Sequence, residues 1–348
     1  MQDRKKKTTN KPPEKAQSQV SEKQAQLQSK AIERERQRTR TGYIIASLVV
    51  AVILIIVGFS YYQNYTAPFR RTVIKIDDTN IRMDYFLKRV KLAGVEPMYL
   101  FDALVNEQII KLEAPDYGIE ATEEDINERL RVIAGGGSGN ITDSELKEWY
   151  RHQLNESGLS DVEYKDITRT GVLASRLQEH LARKVPTTAE QVHLHLIALE
   201  TYEDAEKIRA RWETGEIFAD LAQEASLEEE SKEKGGDIGW VPRGLMYPAM
   251  EETVFNLDIG DVSEPQFSEE SILLFMVSEK AVVRELDEDS LQALKARALE
   301  DWLGQEKKLH EVSFHGLNNG FDSETNAWIN WQISKMKESD SGGSSGGQ

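Results

Sequence analysis

From Tyr43 to Tyr62 the chain runs for 20 residues without a charge, and Leu48 to Val57 within it are aliphatic throughout. At about 1.5 Å per residue such a helix spans roughly 30 Å, the thickness of one hydrocarbon layer. In lipid every backbone polar group must be satisfied inside the segment, which leaves a lone span of this kind no structure but helix. Tyr43, Tyr61, Tyr62 and Tyr65 stand where interfacial aromatics are expected. The basic stretch ahead of the span is 40 residues long and Ala67 is followed by Pro68, neither of which suits a cleaved signal peptide. An uncleaved signal anchor over 41–66 is the expectation. Arg34, Arg36, Arg38 and Arg40 lie against its N-terminal side, opposed weakly by Arg70 and Arg71. Positive-inside then puts the N-terminus in the cytoplasm and the bulk of the chain, beyond about residue 66, outside the cell membrane.

Charge divides along the same line. Residues 1–40 carry 12 basic and 5 acidic groups, and the remaining residues carry 31 and 55, for a net −17 overall. So acidic a body repels polyphosphate, which argues against a nucleic-acid partner. Residues 1–40 lack an apolar face and read as a disordered tail, with a helix lying on anionic lipid as the alternative. The absence of cysteine excludes disulfides, thiolate metal sites and cysteine nucleophiles. No G-x-S-x-G or H-E-x-x-H occurs, and Gly135–Asn140 lacks the Lys-Ser/Thr of a phosphate loop, so it reads as an inter-helix linker.

Residues 70–185 open with a short strand at 73–76 and are otherwise helical in pattern. Thr122…Asp125, Thr142…Glu145 and Ser160…Glu163 each carry the capping-box spacing. An earlier helix is expected over 99–113, and Leu173, Leu177 and Leu181 form an apolar stripe on the last one. Beyond a link at 187–191, strands are expected at 192–199, 238–240 and 272–277. Between them lie two helical patterns and a short helix at 248–256. Gly235-Gly236-Asp237-Ile238-Gly239-Trp240-Val241-Pro242-Arg243-Gly244-Leu245-Met246 is too rich in turn formers for a helix interior. A long helix at 287–312 and a second one bearing Trp328, Trp331 and Ile333 follow, the tryptophans read as core. Residues 337–348 read as a disordered tail.

The stretch from His195-Leu196-Ile197 through Phe218-Ala219-Asp220-Leu221-Ala222, Ser226, Gly235–Trp240 and Arg243-Gly244-x-Met246 resembles the parvulin (rotamase) family of peptidyl-prolyl cis-trans isomerases. Glu251, Phe255 and Gly260-Asp261-Val262-Ser263-Glu264-Pro265 continue the likeness over about 90 residues. The preceding pattern, Leu104-x4-Ile109-x3-Glu113-Ala114…Tyr117-Gly118-Ile119…Thr122, is similar to the N-terminal helical domain of the foldases and chaperones PrsA, PpiD and SurA. The resemblance implies an α+β chain: a transmembrane helix (41–66), then a mostly helical SurA-N-like chaperone domain (70–185) completed by C-terminal helices (285–336). A small antiparallel parvulin-like sheet flanked by helices (186–284) is inserted between them. It also implies unfolded or newly exported polypeptides as partners, met beside the translocation channel by a membrane-tethered foldase.

Turning an X–Pro amide means crossing a barrier of about 18–20 kcal/mol, with no covalent intermediate and no cofactor. The protein must grip the proline and favour the twisted amide over either planar form. Parvulins do so with an apolar pocket above a polar cluster of two histidines, a Cys or Asp, and a Thr or Ser. Carried over by the resemblance, the catalytic positions are His195, Glu228 and Ser268. The substrate pocket falls on Met246, Met250, where the family has phenylalanine, and Phe255, with Leu273 where the family has its second histidine. Two readings stand: an isomerase with a pared-down site, or a parvulin-like holdase or membrane-complex subunit without catalysis. His193 and His195 share one strand face, but a metal there needs further ligands, so structural histidines are the preferred reading.

Overall fold

A computed structural model describes residues 14–317 and 320–342 and divides into two units, Met1–Arg71 and Thr72–Gln348. In the first unit, α1 (Glu14–Tyr61) passes through one π-helical turn (Tyr62–Thr66) into α2 (Ala67–Arg70). Arg36–Arg70 is long and apolar enough to cross a membrane, with mean hydropathy 2.8 over its most apolar window. The helix reaches back to Glu14, through much of the tail expected to be disordered, because Gln, Lys, Arg, Ala and Glu dominate there and all favour helix. The rest of that tail, 1–13, and residues 343–348 of the C-terminal one lie outside the described residues.

The second unit opens with a hairpin, β1 (Thr72–Ile76) and β2 (Thr79–Arg82), turned at Asp77 with φ 49°. Five helices follow: α3 (Met83–Ala93), α4 (Pro97–Glu113), α5 (Glu123–Ala134), α6 (Asp143–Ser157) and α7 (Asp161–Ala182). All three capping boxes form. Thr122, Thr142 and Ser160 each accept from the third backbone N–H of their helix, and Asp125, Glu145 and Glu163 answer on the cap. Phe86, Leu104, Ile109 and Leu177 are fully buried among these helices with Ile74 and Ile76 of β1.

The chain then builds a second sheet. β3 (Thr188–Leu199) leads into α8 (Tyr202–Glu213), α9 (Phe218–Ala225) and the single turn α10 (Glu229–Lys232). β4 (Asp237–Pro242), α11 (Pro248–Asn256), β5 (Gln266–Phe267) and β6 (Ile272–Glu285) complete it. The order is β4-β3-β6-β5, antiparallel throughout, with β3 paired along its length to β6. Ile197 and Leu199 pack with α8 and α9 residues on one face, while Val192 and Leu194 pack with Val254 and Phe255 of α11 on the other.

The return path is α12 (Glu288–Glu306), β7 (Val312–Phe314) and α13 (Ser323–Gly342). β7 joins β1, giving a sheet β2-β1-β7 that has no counterpart in the sequence reading. The helix expected to run to 312 stops at Glu306, because His310 and Glu311 bond to Asp77 and Val312 enters the ladder. α12 lies along α7, where Gln178 Nε2 donates to the Lys295 carbonyl (2.5 Å) and its Oε1 accepts from Leu299 N (3.1 Å). Trp302 Nε1 donates to the Tyr117 hydroxyl (2.8 Å), whereas Trp331 is 51% exposed with Lys335 over its ring.

Candidate functional site

Gly235 and Gly236 carry the chain from α10 into β4 with φ 69° and 79°, a conformation that favours glycine. Gly236 O accepts from Leu196 N (2.8 Å), which seats Asp237 beside the middle of β3. Strand alternation puts His193 and His195 on one face with Asp237, and the two rings lie 5.4 Å apart. His193 is held from two directions. Its Nε2 lies 2.9 Å from Asp237 Oδ1 and its ring stacks on Trp240 at 5.4 Å and 12°. Arg284 covers the Trp240 ring at 4.3 Å.

His195 Nε2 meets Ser278 Oγ at 3.1 Å, and that hydroxyl donates to the His193 carbonyl (3.3 Å). The network therefore assigns the ring proton to Nε2. Nδ1 is buried and lacks a partner of good hydrogen-bond geometry. Burial lowers the imidazole pKa, with the neighbouring His193 adding to the shift and Asp237 opposing it. Burial also works against the Asp237 carboxylate, but the Gly239 N–H and the two histidines outweigh it and hold its pKa below the ordinary value. A neutral imidazole thus stands beside an ionised carboxylate.

A pH dependence follows. The unfolded imidazole takes a proton as pH drops through its ordinary value of about 6.5, while the folded one refuses it until a lower pH. This group's contribution is constant above that value and destabilises the fold progressively below it. The wild type should lose more thermal stability than His195→Gln between about pH 7.5 and pH 5.5, measured by circular dichroism. Equal losses in the two proteins would remove the assignment.

The apolar half of the site lies across the sheet. Met246, Met250, Phe255 and Leu273 come together in one cluster with Leu194, Leu196 and Val241. His195 projects to the other face, where Phe218 stands edge-on to it at 6.5 Å. Phe255 is 5% exposed and capped by the Arg243 guanidinium at 4.0 Å, itself held by Glu190 (2.7 Å). Met246 lines an open cavity of about 1160 Å³ with Tyr247, Pro248 and Arg243 on the module's side. Asp102 and Asn106 of α4 and Leu299 and Leu303 of α12 form the opposite wall.

Among the described residues, neither Glu228 nor Ser268 hydrogen-bonds His195. Glu228 caps α10, accepting from Glu230 N, Ser231 N and Ser231 Oγ, and its carboxylate lines a small hollow with Lys234, Asp237 and Gly239. Those bonds from Ser231 lower its pKa. Ser268 is exposed on the β5–β6 turn, its N–H bonded to the Ser271 carbonyl. The serine that reaches His195 is Ser278, brought there by a bulge in the β3–β6 ladder between His193 and Leu194. Sequence reading missed it because nothing in a single strand marks where its partner slips by one residue.

Residues 195–279 match the PPIC-type PPIase (rotamase) domain. The foldase protein PrsA of Oceanobacillus iheyensis is 26% identical over 186 residues, 52% of this chain and 60% of that protein. PrsA of Halalkalibacterium halodurans is 27% identical over 252 residues, 67% of this chain and 73% of that protein. The chain thus spans less than two thirds of the length of the first of these relatives. The crystal structure of the peptidylprolyl isomerase PrsA from Bacillus anthracis aligns with a TM-score of 0.36 and 16% identity, covering 69% of this chain and 97% of that one.

Proposed function

We propose that this chain, which carries a parvulin-type peptidyl-prolyl cis-trans isomerase domain and resembles the PrsA foldases, is a membrane-anchored extracytoplasmic foldase for exported proteins. The observation that carries the reading is Met246. It belongs to the apolar cluster of the matched domain and also lines the cavity toward α4 and α12. An extended client reaching into that cavity brings a proline ring against Met246 and Met250 while its flanking residues lie along the helical wall. Residues 70–185 with 285–336 act in this reading as a SurA-N-like cradle, with 186–284 inserted. Supporting it, α12 returns along α7 and β7 completes the sheet of β1. The span at 41–66 tethers the chain with its N-terminus in the cytoplasm. Tethering raises the local concentration of foldase near chains leaving the translocation channel.

Uncatalysed X–Pro isomerisation takes tens to hundreds of seconds at 25 °C. The full-length chain in detergent should shorten that time on several X–Pro peptides, measured by exchange spectroscopy. Met250→Ala should lower kcat/KM about tenfold, since losing roughly 1.4 kcal/mol of apolar contact in the transition state is one decade in rate. A rate equal to the uncatalysed one on every peptide overturns the isomerase reading. The second reading, a holdase or a subunit of a membrane complex, draws on Leu273 in place of a histidine and on the sheet that lies between His195 and the methionines. Suppressed client aggregation with no catalysis would select it.

A further inference from the structure

Where the chain leaves α12 for β7, His310 is buried to 10% side-chain exposure among carboxylates. Its Nδ1 lies 2.7 Å from Asp77 Oδ2. Asp77 is itself fixed: its Oδ1 accepts from Glu311 N (2.9 Å) and its own N–H donates to the Glu311 carbonyl (2.9 Å). A carboxylate at Nδ1 fixes a proton there, so in the neutral ring the Nε2 lone pair faces the other way. That Nε2 is buried and has no hydrogen-bond partner. The nearest group, Glu113 Oε1 at the end of α4, is 3.5 Å away, too far for a hydrogen bond of good geometry. Glu306, the last residue of α12, completes the group: one donor atom each from Glu113, Glu306 and His310 lie within 4.8 Å of one another. No ion pair joins Glu306 to any described residue.

A lone pair and two carboxylates turned toward one point repel each other unless a proton on Nε2 or a metal cation stands between them. The donor set is also specific. One imidazole nitrogen and two carboxylate oxygens, with the far ring nitrogen bonded to a further carboxylate, is the carboxylate–histidine–metal arrangement that fixes ring orientation and raises ligand basicity. Three protein ligands of this kind suit a borderline divalent ion such as Zn²⁺, with a fourth position left to water.

We propose that Glu113, Glu306 and His310 bind a divalent transition-metal ion of the Zn²⁺ class, with Asp77 as the positioning residue behind the imidazole. The ligands come from α4 and from the two ends of the α12–β7 turn, and the positioning residue from the β1–β2 turn. The ion would fasten the returning C-terminal segment to the N-terminal helices and close a loop of chain that contains the whole parvulin-type module. It stands apart from isomerase chemistry, so it survives or falls independently of the function proposed above.

The test is Zn²⁺ titration of the chelator-treated full-length protein in detergent, read by calorimetry and by the shift in melting temperature. It is run in a His193→Ala background, so that the donors of the other histidine pair do not contribute. One Zn²⁺ per chain and a melting temperature raised by the metal are expected. Glu306→Gln should abolish both, and Asp77→Asn should weaken binding about 10- to 100-fold, the usual loss when an orienting carboxylate is changed. Asparagine tolerates the positive φ at that turn, so the fold is kept. Failure of the parent protein to bind, or binding by Glu306→Gln as tight as the parent's, overturns the site and leaves His310 as a plain ion pair.

Discussion

Gly236→Ala is expected to cost the parvulin-type module about 3–5 kcal/mol, enough to remove much of an ordinary domain's stability. Two effects add. Its φ of 79° forces an L-residue into the left-handed region, at about 1–2 kcal/mol. The new Cβ would also stand 2.5 Å from the Leu196 carbonyl oxygen and 3.2 Å from Ala222 Cβ. Neither neighbour can step aside. Leu196 is in the middle of β3 and its N–H is bonded to Gly236 itself, while Ala222 is fully buried under the sheet. Gly239, three residues on, has φ 85°, and the place its Cβ would take has nothing within 4 Å. Gly239→Ala should therefore show the conformational cost alone, about 1–2 kcal/mol. Urea unfolding of the full chain, followed by far-ultraviolet circular dichroism, measures both. Equal costs at the two glycines would mean that the approach of β3 to the loop is not tight. Because the next residue is Asp237, the Gly236 substitution should also release His193 from its carboxylate.

Local chemistry made the elements readable. A capping box declares itself in four residues, and all three did so correctly at Thr122, Thr142 and Ser160. Pro248 at the start of a short apolar pattern marked α11 to the residue, because proline suits the first turn of a helix and little else within one. The glycine pair at 235–236 announced positive φ for the same kind of reason. What could not be read was pairing between distant segments. β1 and β7 are joined across more than 200 residues of chain, and β7 is only Val312–Phe314, too short for an alternation signal. The expected helix therefore ran on past Glu306.

The site divides in the same way. Met246, Met250, Phe255 and Leu273, placed by the family resemblance, gather in one cluster on the face of the sheet that α11 covers. The polar group is another matter. His195 alternates with Leu194 and Leu196, and those two leucines face α11, so the histidine must face α8 and α9. Seeing that required knowing which face of β3 the methionine helix covers. Ser278 reaches His195 only through a bulge, and Trp240 stacks on His193 only because β4 pairs Trp240 with it directly. Register is set by the whole sheet and is written in no single strand.

Glu107→Ala should be the most damaging single change in the helical part, at about 3–5 kcal/mol. Arg89 on α3 is 7% exposed and makes two parallel bonds to Glu107 on α4, each 2.7 Å, with a third to the Tyr85 hydroxyl at 3.0 Å. A guanidinium cannot shed its charge on burial, so removing the carboxylate leaves a cation in a site that water reaches poorly. Its Nε is already buried without a partner, and the truncation would orphan Nη2 as well and leave Nη1 only the Tyr85 hydroxyl. The 26% exposure of Glu107 places the effect toward the lower end of the range. The attraction itself is not what stabilises the fold, since desolvating the pair offsets most of it. Replacing both residues, as Arg89→Met with Glu107→Leu, should therefore recover most of the loss. A double-mutant cycle in urea decides the matter: a single-mutant cost below about 1 kcal/mol would show the pair to be solvated. The consequence reaches the cavity beside Met246, because Asp102 and Asn106 on its wall belong to the same helix that Glu107 fastens to α3.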